Sequence, residues 1–133
     1  MVREFHSLVG QAVNDKPTVP DLRQCKLRIE LIREELCELI VAMGGKVTQN
    51  LEYQLDNTDN VNLVEVADAV ADIEYVTHGT AVTFGLPSEE IFLEVQRSNM
   101  TRIPGGTFRE DGKFMKGPHF ERPNIAKILE EQA

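Results

Sequence analysis

Two long helical segments, at about residues 22–43 and 61–84, constrain the fold of this chain more than any other feature. Pro20 breaks the preceding stretch, Asp21 is a candidate N-cap for the first segment, and Gly44 ends it. Apolar residues recur in the first segment with the spacing of an amphipathic helix. The second segment is apolar nearly all round, which is typical of a buried helix. These patterns predict a mostly helical protein.

Shorter segments complete the predicted organisation. We expect an amphipathic helix at 2–14, a connecting loop at 46–60, a helix at about 89–100 that Ser88 caps, and a short helix at 125–131. The chain contains no internal repeat, no low-complexity tract and no linker long enough to separate domains.

The last third of the chain differs in character from the helical part. Asp111 and Gly112 lie between apolar positions, a pattern that predicts a short β-hairpin. The expected fold is therefore all-α, an antiparallel helical bundle with a small C-terminal β-hairpin and a short terminal helix. We predict a single domain over residues 1–133, with the helical core at about 1–103 and the hairpin and tail at about 104–133.

The charge balance argues against a nucleic-acid-binding protein. In 133 residues, 14 Lys and Arg stand against 22 Asp and Glu, which gives a formal net charge of −8. An acidic surface is a poor electrostatic match for a phosphate polymer. A small phosphorylated ligand is still compatible with it, because metal ions and a few cations can reverse the local field.

Neither a membrane partner nor a secretory route is indicated. No stretch approaches the ~20 apolar residues of a membrane span, and the N-terminus lacks the apolar run of a signal peptide. Cys25 and Cys37 lie ~18 Å apart along one predicted helix, too far for an intrachain disulfide. We therefore expect a protein of the reducing cytoplasm.

Three glutamates of the first long helix lie apart from its solvated face. At about 100° per residue, Glu34 and Glu38 share a side with Leu27 and Leu31, and Glu35 lies about 100° from Glu34. An ordinary core stripe is expected on another side of the helix. Its members are Cys25, Ile29, Ile32, Leu36, Leu39, Ile40 and Met43.

The second long helix places acids in an apolar setting more conspicuously. Glu65, Asp68 and Asp72 lie within about 60° of each other, and residues 61–84 contain no Lys or Arg. Burying one unpaired carboxylate costs several kcal/mol. Solvation of the face or protonation of one or two acids are alternatives, but a divalent metal neutralises the whole set. Oxygen donors without Cys or His favour Mg²⁺ or Mn²⁺ over Zn²⁺.

The acids of the two helices also carry a family resemblance. Glu34-Glu35-Leu-Cys-Glu38 followed by Glu65-Val-Ala-Asp68 resembles the EExxE … ExxD signature of the all-α NTP pyrophosphohydrolases, the MazG-like and phosphoribosyl-ATP pyrophosphohydrolase-like proteins that are related to dimeric dUTPases. The resemblance extends over nearly the whole chain and includes VREFHSLVGQAV, DAVADIEYVTHGTAVTFGL and DGKFMKGPHFERPNI.

The resemblance implies an activity, a cofactor and an assembly. The implied reaction is hydrolysis of a nucleoside triphosphate between the α and β phosphates, with Mg²⁺ or Mn²⁺, by a homodimer or a dimer of dimers in a MazG-like helical fold. The substrate is expected to be dUTP or another non-standard or pyrimidine dNTP. The alternatives are a phosphoribosyl-ATP pyrophosphohydrolase and a non-catalytic helical protein that dimerises or senses nucleotides.

Residue roles follow from the same resemblance. The expected metal ligands are Glu34, Glu35, Glu38, Glu65 and Asp68. Glu35 is equally a candidate for the base that activates water, and Glu38 is counted with it as catalytic.

Candidate substrate contacts complete the set. Asp72, one turn beyond the last ligand, is a candidate outer ligand or sugar contact. The C-terminal third supplies the cations that the helices lack. Asn99, Arg102, Lys113 and Lys116 are the expected phosphate contacts. Arg102 departs from the lysine that we expect at its position, which changes the geometry of the cation.

Overall fold

The computed structural model describes the whole chain, Met1–Ala133. It contains five helices and two small antiparallel hairpins, so the predicted all-α class with a small C-terminal hairpin is confirmed. The helices are α1 (Val2–Val9), α2 (Leu22–Ala42), α3 (Leu63–Phe84), α4 (Ser88–Met100) and α5 (Ile125–Gln132). The strands are β1 (Lys46–Val47), β2 (Tyr53–Gln54), β3 (Thr107–Phe108) and β4 (Phe114–Met115). No helix combines the length and apolar composition that a membrane crossing requires.

The chain forms two compact units, Met1–Gly85 and Leu86–Ala133. The first contains α1, α2, α3 and the β1–β2 hairpin, and the second contains α4, the β3–β4 hairpin and α5. A single domain over 1–133 stays a prediction.

Helices α2 and α3 form an antiparallel pair. At one end the Asn62 amide donates to the Ala42 carbonyl (2.9 Å), and near the other end Arg28 lies against Gly79. Local sequence signals fix the beginning of each helix. The side chain of Asp21 accepts from the Gln24 amide, as predicted, and Asn62 caps α3 in the same way.

The first helix is shorter than the predicted 2–14. It ends at Val9 because Gly10 adopts a left-handed conformation (φ 76°) and is the C-cap of the helix. Apolar Ala12 and Val13 continue the helical spacing beyond this point, so the periodicity alone gave the wrong end.

The segment after α1 instead completes the carboxyl end of α3. The Asn14 amide donates to the Val82 carbonyl (3.1 Å), its side chain donates to the Thr83 carbonyl (2.6 Å), and the Thr18 amide donates to the Phe84 carbonyl (2.9 Å). The last carbonyls of a helix have no partner within it. Residues 10–20 are therefore not helical, and several of them satisfy these groups instead.

The predicted loop at 46–60 contains a hairpin that the sequence did not indicate. Lys46 pairs with Gln54 and Val47 with Tyr53, and Leu51 in the connection has a positive φ of 62°. Strands of two residues are too short for an alternating pattern to be visible.

Burial in the single chain differs from the prediction. Ala42 and Ala69 are the only hydrophobic residues that are fully buried, whereas Leu63 is 77% and Val64 75% exposed on α3 and Ile29 is 64% exposed on α2. Five of the seven residues of the expected stripe of α2 are half-buried and two, Ile29 and Leu36, are exposed, so one chain covers the stripe only in part. The expected burial of α3 is wrong for one chain alone. One helix pair with a short α1 has too few layers to cover both faces.

In the second unit, the N-cap of α4 differs from the prediction. Ser88 does not cap the helix. Its hydroxyl donates weakly to the Leu86 carbonyl (3.5 Å), and Pro87 occupies the N-cap position without a side-chain hydrogen bond. The predicted β3–β4 hairpin is present, with Gly112 at φ 88° in its turn.

The tail of the second unit is fixed to α4 by polar contacts. Arg97 pairs with Glu94 (2.9 Å) and with Glu121 (2.8 Å), and the Ser98 hydroxyl donates to the Glu121 carbonyl (2.7 Å). Arg97, together with the Asn124 amide, holds the pKa of Glu94 down at about 2.

Candidate metal and nucleotide site

The predicted metal ligands lie on the middle turns of α2 and the first half of α3. Because the two helices are antiparallel, the middle turns of α2 lie beside the first half of α3. Glu35 and Asp72 are half-buried, and the other acids are exposed. The exposed members are Glu34, Glu38, Glu65 and Asp68.

Glu35 is the point at which the acids of the two helices meet. Its Oε2 atom is buried and has no hydrogen-bond partner. Desolvation raises the pKa of Glu35, and the negative charges of Glu38, Asp72, Glu34 and Asp68 raise that pKa further, in that order. Two of these charges come from α2 and two from α3. The structure thus gathers acids of both helices around one half-buried carboxylate.

Glu65 is the predicted ligand that does not contribute to this group of charges. It lies in the first turn of α3, where the Asn62 side chain accepts from its amide (3.3 Å). It is not among the charges that raise the pKa of Glu35. Asp72, which we predicted as an outer group, does act on Glu35 and lies seven residues further along the same helix.

The six acids are uncompensated within the chain. None of their carboxylates accepts a hydrogen bond or joins an ion pair. No three His, Cys, Asp or Glu side chains stand close enough together, as they are placed, to hold a metal ion. The donor set nevertheless fits a hard divalent cation, since it consists of free carboxylates around a buried oxygen without a partner.

The predicted phosphate contacts lie in the second unit, and the structure brings two of them together. Arg102 and Lys116 each approach the ring of Phe120 to 4.9 Å from its centroid. Neither is in an ion pair, and Arg102 Nε is buried without a partner. The side chains of Asn99 and Lys113 are exposed and form no hydrogen bond.

Sequence reasoning missed a buried polar pair at the opposite end of α2. Arg28 is 5% exposed, and its Nη1 donates to His6 Nε2 (3.1 Å) of α1, which is 2% exposed. One signal was available. Arg28, Glu35 and Ala42 are spaced by seven residues, so they share one face of α2, and we call this line of residues the α2 seam.

Comparison with known proteins supports the resemblance. No match is found among curated proteins. The model of the family described as phosphoribosyl-ATP pyrophosphohydrolase matches residues 2–99, which include α1 to α3 and nearly all of α4. That family is part of the MazG-like NTP pyrophosphohydrolase superfamily, whose members hydrolyse acid anhydrides. The chain therefore belongs to the phosphoribosyl-ATP pyrophosphohydrolase family.

Proposed function

We propose that this chain hydrolyses a nucleotide triphosphate group between its α and β phosphates and releases pyrophosphate. The observation that carries the proposal is Glu35. A buried carboxylate oxygen without a partner, on a half-buried glutamate among four further acids from two helices, is costly unless a ligand compensates it. Perturbed titratable groups that cluster in this way are typical of functional sites.

The compensating ligand in this proposal is Mg²⁺ or Mn²⁺. Its ligands would come from Glu34, Glu35, Glu38, Glu65 and Asp68. When bound, a divalent ion supplies positive charge that offsets the phosphates and makes a water molecule more acidic. The exposed carboxylates among the ligands make no other contact, so no existing bond has to break before they bind.

Glu35 and Glu38 are the acids that we propose for the proton transfer. A base works best when its pKa is near the working pH, and the surroundings of Glu35 raise its pKa in that direction. Among the neighbouring charges, Glu38 has the largest single effect on the pKa of Glu35. Asp72 is half-buried on the facing helix and would orient Glu35 or contact the sugar.

Arg102 and Lys116 are the proposed phosphate contacts, with Asn99 and Lys113 as further candidates. Two cations over the same aromatic ring, without a carboxylate partner, are suited to an anionic ligand. Arg102 Nε has no acceptor within the chain.

Two substrate classes share the triphosphate group on which this site would act. One is a nucleoside triphosphate such as dUTP or another pyrimidine or non-standard dNTP. The other is phosphoribosyl-ATP, and the description of the matching family favours it.

We further propose that the chain works as a homodimer or a dimer of dimers. The exposed apolar side chains of α2 and α3 support this, because fully buried hydrophobic residues in one chain are limited to two alanines. A second copy is the simplest cover for such a surface.

The proposed location is the cytoplasm. Both cysteines are free, which is compatible with a reducing compartment.

The test is a panel of nucleotides assayed for pyrophosphate and for phosphate, with Mg²⁺ and with Mn²⁺. We expect pyrophosphate from at least one member of a panel that contains phosphoribosyl-ATP, ATP, dUTP and the common dNTPs. Glu38→Gln should lower the rate ~100-fold or more. Glu74→Gln is the matched control, since Glu74 is an exposed acid of α3 outside the cluster. No pyrophosphate from any nucleotide would favour a non-catalytic or sensing protein instead.

A further inference from the structure

The ring of Phe120 in the second unit holds two cations that no acid of the chain neutralises. Arg102, in the turn after α4, and Lys116, directly after β4, each lie 4.9 Å from the centroid of this ring, and we call them the cation pair. Neither of them is in an ion pair. At this distance the quadrupole of a ring attracts a cation. Phe120 is therefore the electrostatic partner that both cations share.

Two positive charges at one ring repel each other. They lie within ~10 Å of each other, about one Debye length at 0.1 M salt. A carboxylate between them would offset the repulsion, but it would also compete with any anionic ligand. An aromatic ring attracts both cations without supplying a negative ion. The cation pair is therefore held together and is still available to an anion.

Backbone hydrogen bonds bring the cation pair and the ring together. The Gly117 amide donates to the Arg102 carbonyl (3.0 Å), which places the preceding residue, Lys116, beside Arg102. The Phe120 amide donates to the Gly117 carbonyl (3.3 Å), so the chain turns between these two residues. A Cβ on residue 117 would overlap the carbonyl oxygen of Pro104, so this close approach requires glycine.

Glu121, the residue after Phe120, is fixed to the end of α4 through both of its backbone groups. Its amide donates to Thr101 Oγ1 (2.9 Å), and its carbonyl accepts from the Ser98 hydroxyl (2.7 Å). Ser98 is 1% exposed, so water has little access to this bond. Phe120 thus lies between two anchored positions, Gly117 and Glu121, and its ring has a defined place.

Arg97 engages the two acids that join the tail to α4. It pairs with Glu94 (2.9 Å) and, through Nη1, with Glu121 Oε2 (2.8 Å). Glu121 is the acid nearest to Phe120 in the sequence, and its carboxylate is bound to Arg97 instead of to either member of the cation pair. The positive charge beside the ring is therefore left for a ligand from outside the chain.

We propose that Phe120 is a positioning residue that holds the cation pair in the arrangement that binds the phosphates of the substrate. The inference rests on the proposed function, in which Arg102 and Lys116 contact phosphate, and it adds the residue that orients them. Phe120 acts through the two cations, so its effect is on binding and not on the bond that breaks. The match to the family model ends at residue 99, and Phe120 lies outside it.

The test compares the unaltered protein with Phe120→Leu, which keeps an apolar side chain and removes the quadrupole of the ring. With the substrate that the nucleotide panel identifies, we expect KM to rise about fivefold or more and kcat to change less than about twofold. Calorimetry with inorganic tripolyphosphate and Mg²⁺ should show the same rise in Kd. Phe120→Tyr keeps a ring and should retain the values of the unaltered protein. Phe92→Leu, at a 75% exposed phenylalanine of α4 without a cation over its ring, is the matched control.

A measurement on the unaltered protein covers the case in which Phe120→Leu fails to fold. Protons beside the face of an aromatic ring resonate upfield in nuclear magnetic resonance spectra. The side-chain protons of Lys116 and Arg102 should therefore lie upfield of those of the other lysines and arginines.

Several results would overturn this inference and leave the proposed function in place. One is a Lys116 whose signals coincide with those of the other lysines, and another is equal KM and Kd values for Phe120→Leu and the unaltered protein. A loss of the same size in Phe120→Tyr would assign the effect to side-chain shape and overturn the inference too. Absence of pyrophosphate from every nucleotide would overturn the proposed function, and tripolyphosphate binding would still test the role of Phe120.

Discussion

Gly79 of α3 and Arg28 of α2 are in contact at a place where no side chain fits between them. A Cβ on residue 79 would lie 2.6 Å from the guanidinium, shorter than any ordinary contact. Helix propensity alone favours alanine over glycine by ~1 kcal/mol inside a helix. At this position the steric term should exceed that gain.

We therefore expect Gly79→Ala to destabilise the protein by about 1–2 kcal/mol, because the buried Arg28 and His6 side chains must move. Urea unfolding followed by circular dichroism measures this. Thr77→Ala, at an exposed position of the same helix, should change the free energy of unfolding by less than ~0.5 kcal/mol. An alanine at 79 that stabilises the chain would show that the guanidinium is free to leave its position.

Glu35 predicts a particular pH dependence of the metal-free protein. The unfolded chain loses the proton of Glu35 near the ordinary pKa of 4.5, whereas the folded chain keeps it to a higher pH. The folded state thus binds more protons in that window, and the free energy of unfolding falls as pH rises through it. Below pH 4.5 this contribution is complete.

Glu35→Gln should remove that slope and raise the stability at pH 7 without metal, because the neutral amide is not repelled by the neighbouring carboxylates. Thermal melts between pH 4 and 8 with a chelator present measure both effects. Glu74→Gln should keep the slope of the unaltered protein. A variant at position 35 that retains the slope would place its origin elsewhere.

Divalent metal should stabilise the protein through the same carboxylates. At an Mn²⁺ concentration ~100 times the Kd, the free energy of unfolding should rise by about 2.7 kcal/mol. Glu38→Gln and Asp68→Asn should each reduce this increment. The measurement is a thermal shift with Mn²⁺, with Mg²⁺ and with chelator. No shift at millimolar metal would indicate a scaffold that keeps the acids without a metal site.

The exposed apolar side chains of α3 predict the effect of a charge on assembly. Val64 is 75% exposed in one chain, so Val64→Lys should leave the fold of that chain intact. If a second copy covers α3, this change should shift the protein towards monomer in sedimentation velocity. Val19→Lys is the matched control, at an 86% exposed valine outside the helices. Identical sedimentation of both variants and the unaltered protein would contradict an interface on this face.

The sequence predicted those helix ends that interactions between neighbouring residues determine. Asp21 begins α2 because its own side chain caps the helix three residues away, and Gly85 ends α3 because it adopts a left-handed conformation. Helical spacing placed Glu65, Asp68 and Asp72 on one side of α3, but it did not single out Glu35 as the acid of α2 on which carboxylates of α3 act. The helix after Pro87 was located correctly, although Ser88 does not provide its cap.

Long-range contacts account for what the sequence did not predict. The contact of Arg28 with His6 joins residues 22 positions apart, and no helical periodicity relates the two positions. Residues 10–20 leave the helical conformation and bond to α3, and the local signals in this stretch, Gly10, Pro17 and Pro20, do not show that partner. Val64 is exposed because one chain has too few layers of secondary structure to cover α3. A helical wheel of α3 carries no information about the other layers.

The α2 seam carries opposite charges on neighbouring members, a cation at Arg28 and an acid at Glu35 seven residues further along the helix. An elongated ligand bound along the seam would therefore have one favourable orientation. Its metal-bound group would lie beside the carboxylates, and an anionic group without metal would lie beside the guanidinium. In the reverse orientation, the anionic group without metal would lie beside the carboxylates and be repelled by them. Under the proposed function, the helix pair would therefore favour one orientation of an elongated anionic ligand before any base or sugar is recognised.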